Sequence, residues 1–523
     1  MIIDRRGHFT TAPASFRALR AGQGEFADDP ANAPSRNGAY VRDDQIREAI
    51  GSGQLKLQRE RGRYAANKSS AGRADAVSGA GLRLHRGIQL NQKRNKQMET
   101  NKPAGTGIAS RWAVLALLAV GVLISFVDRT SISSTLADPG FVRLFALTSV
   151  DRGWINAAFF WSYGLFQVPM GWVADRYGVK WPYSISFALW CLATALMGAV
   201  TALASLVAMR LIIGMAEAIV IPASYRWIRN NFDESRNGLA VGILAMGNKF
   251  GPALGAPVGA WFIVNYSWQV MFIATGLVGL IWLAPWLLLV RNDLPTKAQL
   301  SIANRSARTV TLGSILASPV VWGGMITNFC YGYFTFFCMT WMPAYLVEQR
   351  GLSITRSGLY TFFSFAGIAI VAALAGWAAD RIIARGGNAI LVRKIFTIAG
   401  FVGGCTVLLG AYAHTLEMAL FWNVLSLSLL GLTTANNLVL SRLTLIPRQA
   451  IGLVTGVQQV ATSLAGGVAA SLSGWLLHIS GNYNLPMLVI LVFLVIGALT
   501  TMFLFRPEWA PKVNDIHGSL KEA

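Results

Sequence analysis

From Trp112 onward the chain alternates between long apolar runs and short polar breaks. The runs reach about 20 residues, the length an α-helix needs to cross a bilayer. They fall at 112–137, 153–174, 181–201, 204–227, 238–264, 268–290, 319–346, 357–379, 393–413, 416–440, 451–478 and 484–505. The pattern predicts an all-α membrane protein with twelve transmembrane helices. One internal connection is long, 291–318, and it separates the sixth run from the seventh. The expected organisation is two pseudo-symmetric six-helix bundles, 112–290 and 319–505, joined by that linker and followed by a tail at 506–523. Proline and glycine at Pro252, Gly255 and Pro257 predict a bend or break in the fifth helix. Residues 1–111 are polar, without an apolar run or a signal-peptide core, and read as a disordered extension. Two accounts of the extension stay open: translation starting at Met98, or a genuine tail that touches anionic lipid.

Composition agrees with this class. The chain is 54% hydrophobic and 13% charged, against about 25% charged in globular domains. Its net charge of +21 would raise nucleic acid as a partner; residues 1–111 hold +10 of it, and topology accounts for the +11 of the remainder. With both termini inside, the cytoplasmic segments after Trp112 carry 18 Lys or Arg, and the outer loops carry four, Arg143, Arg152, Arg350 and Arg356. That is the positive-inside bias, so the expected location is a bacterial inner membrane with cytoplasmic termini and no nucleic-acid partner. The four cysteines lie in apolar segments and read as small packing residues.

A sequence repeat marks the two halves. Gly171 opens GWVADRYG after the second run, and Gly376 opens GWAADRII after the eighth. Each Asp-Arg turn, with Asp175 and Arg176 in one copy and Asp380 and Arg381 in the other, can pair with neighbouring helix ends and latch one conformation. Five ionisable groups lie inside first-half runs: Asp128, Arg129, Arg210, Glu217 and Lys249. Charges there are costly, roughly 2.5–3.5 kcal/mol each on insertion scales. Arg210 and Glu217 are seven residues apart, hence on nearly the same side of one helix. The second half offers neutral hydrogen-bonders instead: Asn328, Tyr331, Asn436, Asn437, Gln458 and Gln459. Charge on one side and amides and hydroxyls on the other suit a small polar anion held at the midplane. A purely architectural ion-pair network, Asp128 with Arg210 or Lys249 and Glu217 with Arg129, is the competing reading.

The loop Gly171-Trp-Val-Ala-Asp175-Arg176-Tyr-Gly178-Val-Lys180 resembles the signature between helices two and three of the major facilitator superfamily. Arg210 to Gly214 resembles its fourth-helix motif, and Gly251 to Gly259 its fifth. Within it the chain resembles the anion:cation symporter family, whose bacterial members carry hexuronates, aldonates and aldarates. The residues that carry this likeness are Phe126 to Arg129, Phe160 to Tyr163, Gln167 to Pro169, Arg210 to Glu217 with Pro222, and Trp341 to Leu346. The resemblance implies proton coupling through Asp128 and Glu217, a carboxylate contact at Arg129, and substrate contacts at Tyr163, Asn248 and Gln459. Lys249 departs from the family pattern. With Arg210 and Asn436 it completes the candidate substrate-binding set. The expected function is proton-coupled import of a sugar acid by alternating access, by a monomer with no cofactor and no metal. An exporter of drugs or metabolites, or an importer of an aromatic carboxylate, are the alternatives. No Ser/Lys, Ser/His or metal-ligand constellation points to an enzyme; for a signalling domain, the 291–318 linker and the tail are too short and residues 1–111 lack a core.

Overall fold

A computed structural model describes residues 108–232, 234–291, 312–447 and 450–511. The extension with Met98, most of the 291–318 linker and the end of the tail lie outside the described residues. The first half of the described chain holds α1 (Ile108–Leu136), α2 (Pro139–Leu144), α3 (Ser149–Tyr177), α4 (Lys180–Met197), α5 (Leu203–Glu217), α6 (Val220–Asn231), α7 (Glu234–Asn265), α8 (Trp268–Ile281) and α9 (Leu283–Leu289). The second holds α10 (Leu312–Leu316), α11 (Pro319–Thr340), α12 (Met342–Glu348), α13 (Ile354–Ala384), α14 (Ala389–Gly404), α15 (Val407–Ala411), α16 (Leu416–Val439), a π-helical turn at Leu440–Thr444, α17 (Ile451–Ser480) and α18 (Asn484–Leu504). Among the described residues eight helical spans are long and apolar enough to cross a membrane. α3, α4, α7 and α11 are of comparable length.

Local chemistry sets the helix ends. α3 opens on a capping box in which Thr148 accepts from the Asp151 amide and Asp151 accepts from the Thr148 amide, satisfying donors the helix itself leaves free. Ser267, Ser353, Asn388 and Thr415 cap α8, α13, α14 and α16 in the same manner. α3 stops at Gly178, whose φ of 81° favours a residue without a Cβ. The second copy of the repeat has Ile383 at that position. There the helix continues to Ala384, and Gly386 supplies the positive φ of 98° instead.

Several predicted helices differ in detail. The fourth is interrupted after Glu217, the sixth at Trp282 and the seventh at Trp341. The fifth, α7, does not break: Pro252 and Pro257 lie inside one continuous helix. Its glycines serve a different purpose. Gly247, Gly251, Gly255 and Gly259 recur every fourth residue and face α1, where a Cβ would meet Val122, Phe126, Val127, Thr130 and Ser131. Small residues at this spacing let two helix backbones approach closely.

Within the first half α1 packs on α7, α3 on α5, and α4 on both α5 and α8. Within the second, α13 and α14 pack on α16, and α11 and α14 on α18. Two large contacts join the halves, α3 with α17 and α7 with α13. Each repeat-bearing helix thus crosses to the other half.

Candidate functional site

The charged centre forms where α1, α3 and α5 meet. α5 carries Glu217 as its last helical residue, fully buried, and Arg129 reaches it from α1. Arg129 donates through Nε at 3.0 Å and Nη2 at 2.8 Å to the same carboxylate oxygen, Oε2. Ser125, one turn earlier on α1, donates to that oxygen at 2.6 Å. The other oxygen, Oε1, is buried without a partner. Three rings enclose the Arg129 guanidinium, those of Phe126 at 4.3 Å, Phe159 at 4.7 Å and Tyr163 at 4.6 Å. They shield the ion pair from water, and their π-faces favour the cation.

Arg210 shares the Phe159 ring, its guanidinium carbon 4.7 Å from the centroid, and donates to the Ile155 carbonyl at 3.4 Å. Asp128 follows a different course. It is buried, and neither carboxylate oxygen makes a well-aligned hydrogen bond; the donor acting on it is the indole N–H of Trp190. The charges acting on it are Glu217, Arg210 and Arg129, but it pairs with none of them and not with Lys249. Of the two architectural pairs anticipated from sequence, Glu217 with Arg129 is formed, whereas Asp128 with Arg210 or Lys249 is not.

Lys249, half-buried on α7, reaches across to the second half. Its ammonium donates to the Tyr331 hydroxyl on α11 at 2.7 Å, and that hydroxyl meets Thr434 of α16 at 3.0 Å. No carboxylate lies within ion-pair distance of Lys249 among the described residues. Deeper in the second half, Asn328 donates to Gln458 at 3.2 Å and accepts from Asn437 at 2.9 Å, and Asn437 accepts from Thr327 at 3.2 Å. Gln167 of α3 meets Ser463 of α17 at 3.4 Å, across the same interface. Asn248 and Gln459 are half-buried on the helices that join the halves, and their side-chain amides are unbonded among the described residues. Asn436 lies apart from the cavity: its carbonyl oxygen accepts from Arg393 at 3.2 Å.

Each repeat turn pairs with an arginine of its own half. Asp175 pairs with Arg226 at 3.3 Å, and Asp380 with Arg393 at 2.7 Å. Arg176 lies over Trp172 and Arg381 over Trp377, four residues back in each copy. Lys180 donates to the Leu287 carbonyl at the end of α9. Gly171 packs on Pro222 and Gly376 on Ala435.

The run boundaries predict Arg152 in an outer loop. It stands instead in the first turn of α3, buried, and pairs with Glu348 of α12. Tyr483, in the turn before α18, donates to Glu348 at 2.7 Å and meets Arg152 at 3.4 Å. Burial pushes the Tyr483 phenol well above its usual range, so it keeps the proton it donates. Beside this cluster Gly153 and Gly474 leave no room for a Cβ between α3 and α17. Sequence reading missed Ser125, Phe159, Glu348 and Tyr483. Ser125 and Phe159 carried a usable signal, standing four residues before Arg129 and Tyr163 and therefore on their helix faces. Among the described residues no group of three or more His, Cys, Asp or Glu could hold a metal ion.

Comparison with known proteins places this geometry. Residues 118–444 match the Major Facilitator Superfamily. The D-galactonate transporter of Escherichia coli O6:H1 is 29% identical over 422 residues, 75% of this chain and 95% of that protein. A probable galactarate/D-glucarate transporter of Bacillus subtilis is 24% identical over 442 residues, 79% of this chain and 95% of that protein. Among solved structures, a bacterial homologue of the human lysosomal transporter Spinster, inward-facing and unoccupied, superposes with a TM-score of 0.61. It is 18% identical and covers 77% of this chain and 98% of that one.

Proposed function

Because the chain belongs to the Major Facilitator Superfamily, a family of membrane transporters, we propose that it imports a small organic anion, a sugar acid, in symport with protons. The observation that carries this reading is Lys249. It is a half-buried cation without a carboxylate partner among the described residues, held at the seam between the halves by the Tyr331 hydroxyl. A bound carboxylate would supply the missing charge, and Tyr331, Thr434 and the half-buried amides of Asn248 and Gln459 would meet hydroxyls. The relatives support the ligand class, since their names specify galactonate and galactarate or glucarate.

Proton coupling falls to Asp128 and Glu217. Burying a lone charge is costly, so an acid group without an ion-pair partner is one that takes a proton. Asp128 has no ion pair and no well-aligned hydrogen bond, while Glu217 is paired with Arg129. Protonation of Glu217 would release Arg129 toward a substrate carboxylate, linking proton to cargo. We read α3, α4, α7 and α11 as spanning together with the eight apolar spans, giving twelve helices in two six-helix halves. The basic end, with Arg226, Arg229, Arg381 and Arg393, is then cytoplasmic by the positive-inside rule, in a bacterial inner membrane. The Arg152–Glu348–Tyr483 cluster is the outer gate, closed here.

The test is a thermal-shift screen of purified protein with hexuronates, aldonates, aldarates, aromatic carboxylates, neutral sugars and cationic drugs. Binding stabilises the folded state by mass action. Stabilisation by sugar acids is the expected result. Stabilisation by cationic or neutral apolar compounds alone would reverse the reading toward an exporter.

A further inference from the structure

We infer that Arg442 is a second anion-holding group, placed to take the far charge of a dianionic ligand whose near carboxylate lies at Lys249. The inference rests on the anion-transport reading and deepens it. Arg442 stands in the π-helical turn Leu440–Thr444 that ends the α16 span, and π turns within helical segments recur at functional sites. Its guanidinium is held from one side. Nε donates to the Gln458 side-chain oxygen at 2.7 Å. Gln458 is fully buried and is itself fixed, donating to the Ser441 carbonyl at 3.2 Å and accepting from Asn328 at 3.2 Å. The buried amide chain of Asn328, Asn437 and Gln458 thus ends on this one cation and orients it.

Nothing neutralises it. Among the described residues Arg442 forms no ion pair, and its two terminal nitrogens have no protein acceptor. The ionisable side chain that acts on it is the Tyr225 phenol of α6, in the other half. Tyr225 in turn feels Tyr163, whose ring covers Arg129. Among the described residues Arg129 and Arg152 have carboxylate partners and Arg210 is buried inside the first half, whereas Lys249 and Arg442 have no carboxylate partner.

Both stand over one face of α11. Lys249 is tied to Tyr331 directly, and Arg442 to Asn328 through Gln458. Tyr331 and Asn328 are three residues apart, so they share a helix face. Thr434, which shares the Tyr331 hydroxyl, precedes Arg442 by eight residues, about 12 Å of helix. That is the scale of an extended six-carbon diacid with a charge-assisted hydrogen bond of about 2.8 Å at each end. A monoacid of the same carbon skeleton would reach Arg442 with a neutral hydroxyl only.

The experiment measures dissociation constants for galactonate and galactarate, which share a skeleton and differ by one carboxylate, on purified full-length protein. The wild type should bind the diacid at least ten-fold tighter. Arg442→Gln should bring the ratio of the two constants to about one, and Arg442→Lys should restore part of it. Equal binding of both acids by the wild type, a comparison that needs no variant, would overturn the inference. So would an Arg442→Gln protein that keeps the wild-type ratio. If neither acid binds while a cation or neutral compound does, the anion reading itself fails and takes this inference with it.

Discussion

Glu217 and Asp128 are buried carboxyls in one neighbourhood with opposite surroundings, and the difference sets what each substitution should do. Glu217 holds Arg129 and Ser125 on one oxygen. Arg129→Ala would leave that carboxylate buried and uncompensated, a loss on the order of 3–5 kcal/mol. A lower melting temperature is expected for Arg129→Ala, with recovery in the Arg129→Met, Glu217→Met double variant. Glu217→Gln should abolish uphill uptake while retaining counterflow exchange; equal loss of both would remove Glu217 from the proton path. Asn in place of Asp128 keeps an acceptor for the one donor that acts there, the indole N–H of Trp190, and breaks no ion pair. Asp128→Asn is therefore expected to fold with a melting temperature close to wild type and to flatten the pH dependence of uptake. An unaltered pH profile would assign Asp128 a purely structural place. The charges of this centre were legible in the sequence, because Asp, Arg and Glu stand out in apolar runs. Ser125 was not, since most serines in the described helices return their hydroxyl to their own backbone, as Ser131 and Ser184 do.

At the scale of elements, helix existence followed from run length, but helix interruptions did not. The apolar pattern continues across Glu217 to Val220 and across Trp341, so nothing in the periodicity marks those breaks. Proline and glycine in α7 predict a bend or a break, and the helix runs through them without a break. Packing against α1 overrides that local preference, and the four-residue glycine spacing was the cue to a close helix pair. Gly255→Leu should prevent α1 and α7 from closing, giving protein that fails to survive detergent extraction. Gly242→Ala, on the same helix with open space around it, should leave expression and melting temperature unchanged. Similar behaviour of the two variants would contradict the α1–α7 contact. Arg152 escaped the sequence reading because a basic residue at the start of a run looks like loop. Its carboxylate partner is 196 residues away on α12, a separation no local pattern conveys.

For the whole molecule, the repeat signals a two-fold relation, and the helices that carry it are those that cross between halves, α3 onto α17 and α13 onto α7. The Arg152–Glu348–Tyr483 cluster and the Gly153–Gly474 approach tie α3 to α12 and α17 at the end proposed as the outer gate. Glu348→Gln should shift the population toward the outward-open form, read as faster labelling of a cysteine introduced beside the gate. Unchanged labelling would separate the cluster from gating. The most direct test of the account is substrate accumulation in proteoliposomes holding the purified protein, using the sugar acid that stabilises it most. With the side facing the outer gate made acidic and no sodium present, accumulation above equilibrium that a protonophore abolishes is the predicted result. Uptake that stops at equilibrium, or that follows a sodium gradient and ignores the protonophore, would contradict proton-coupled anion import.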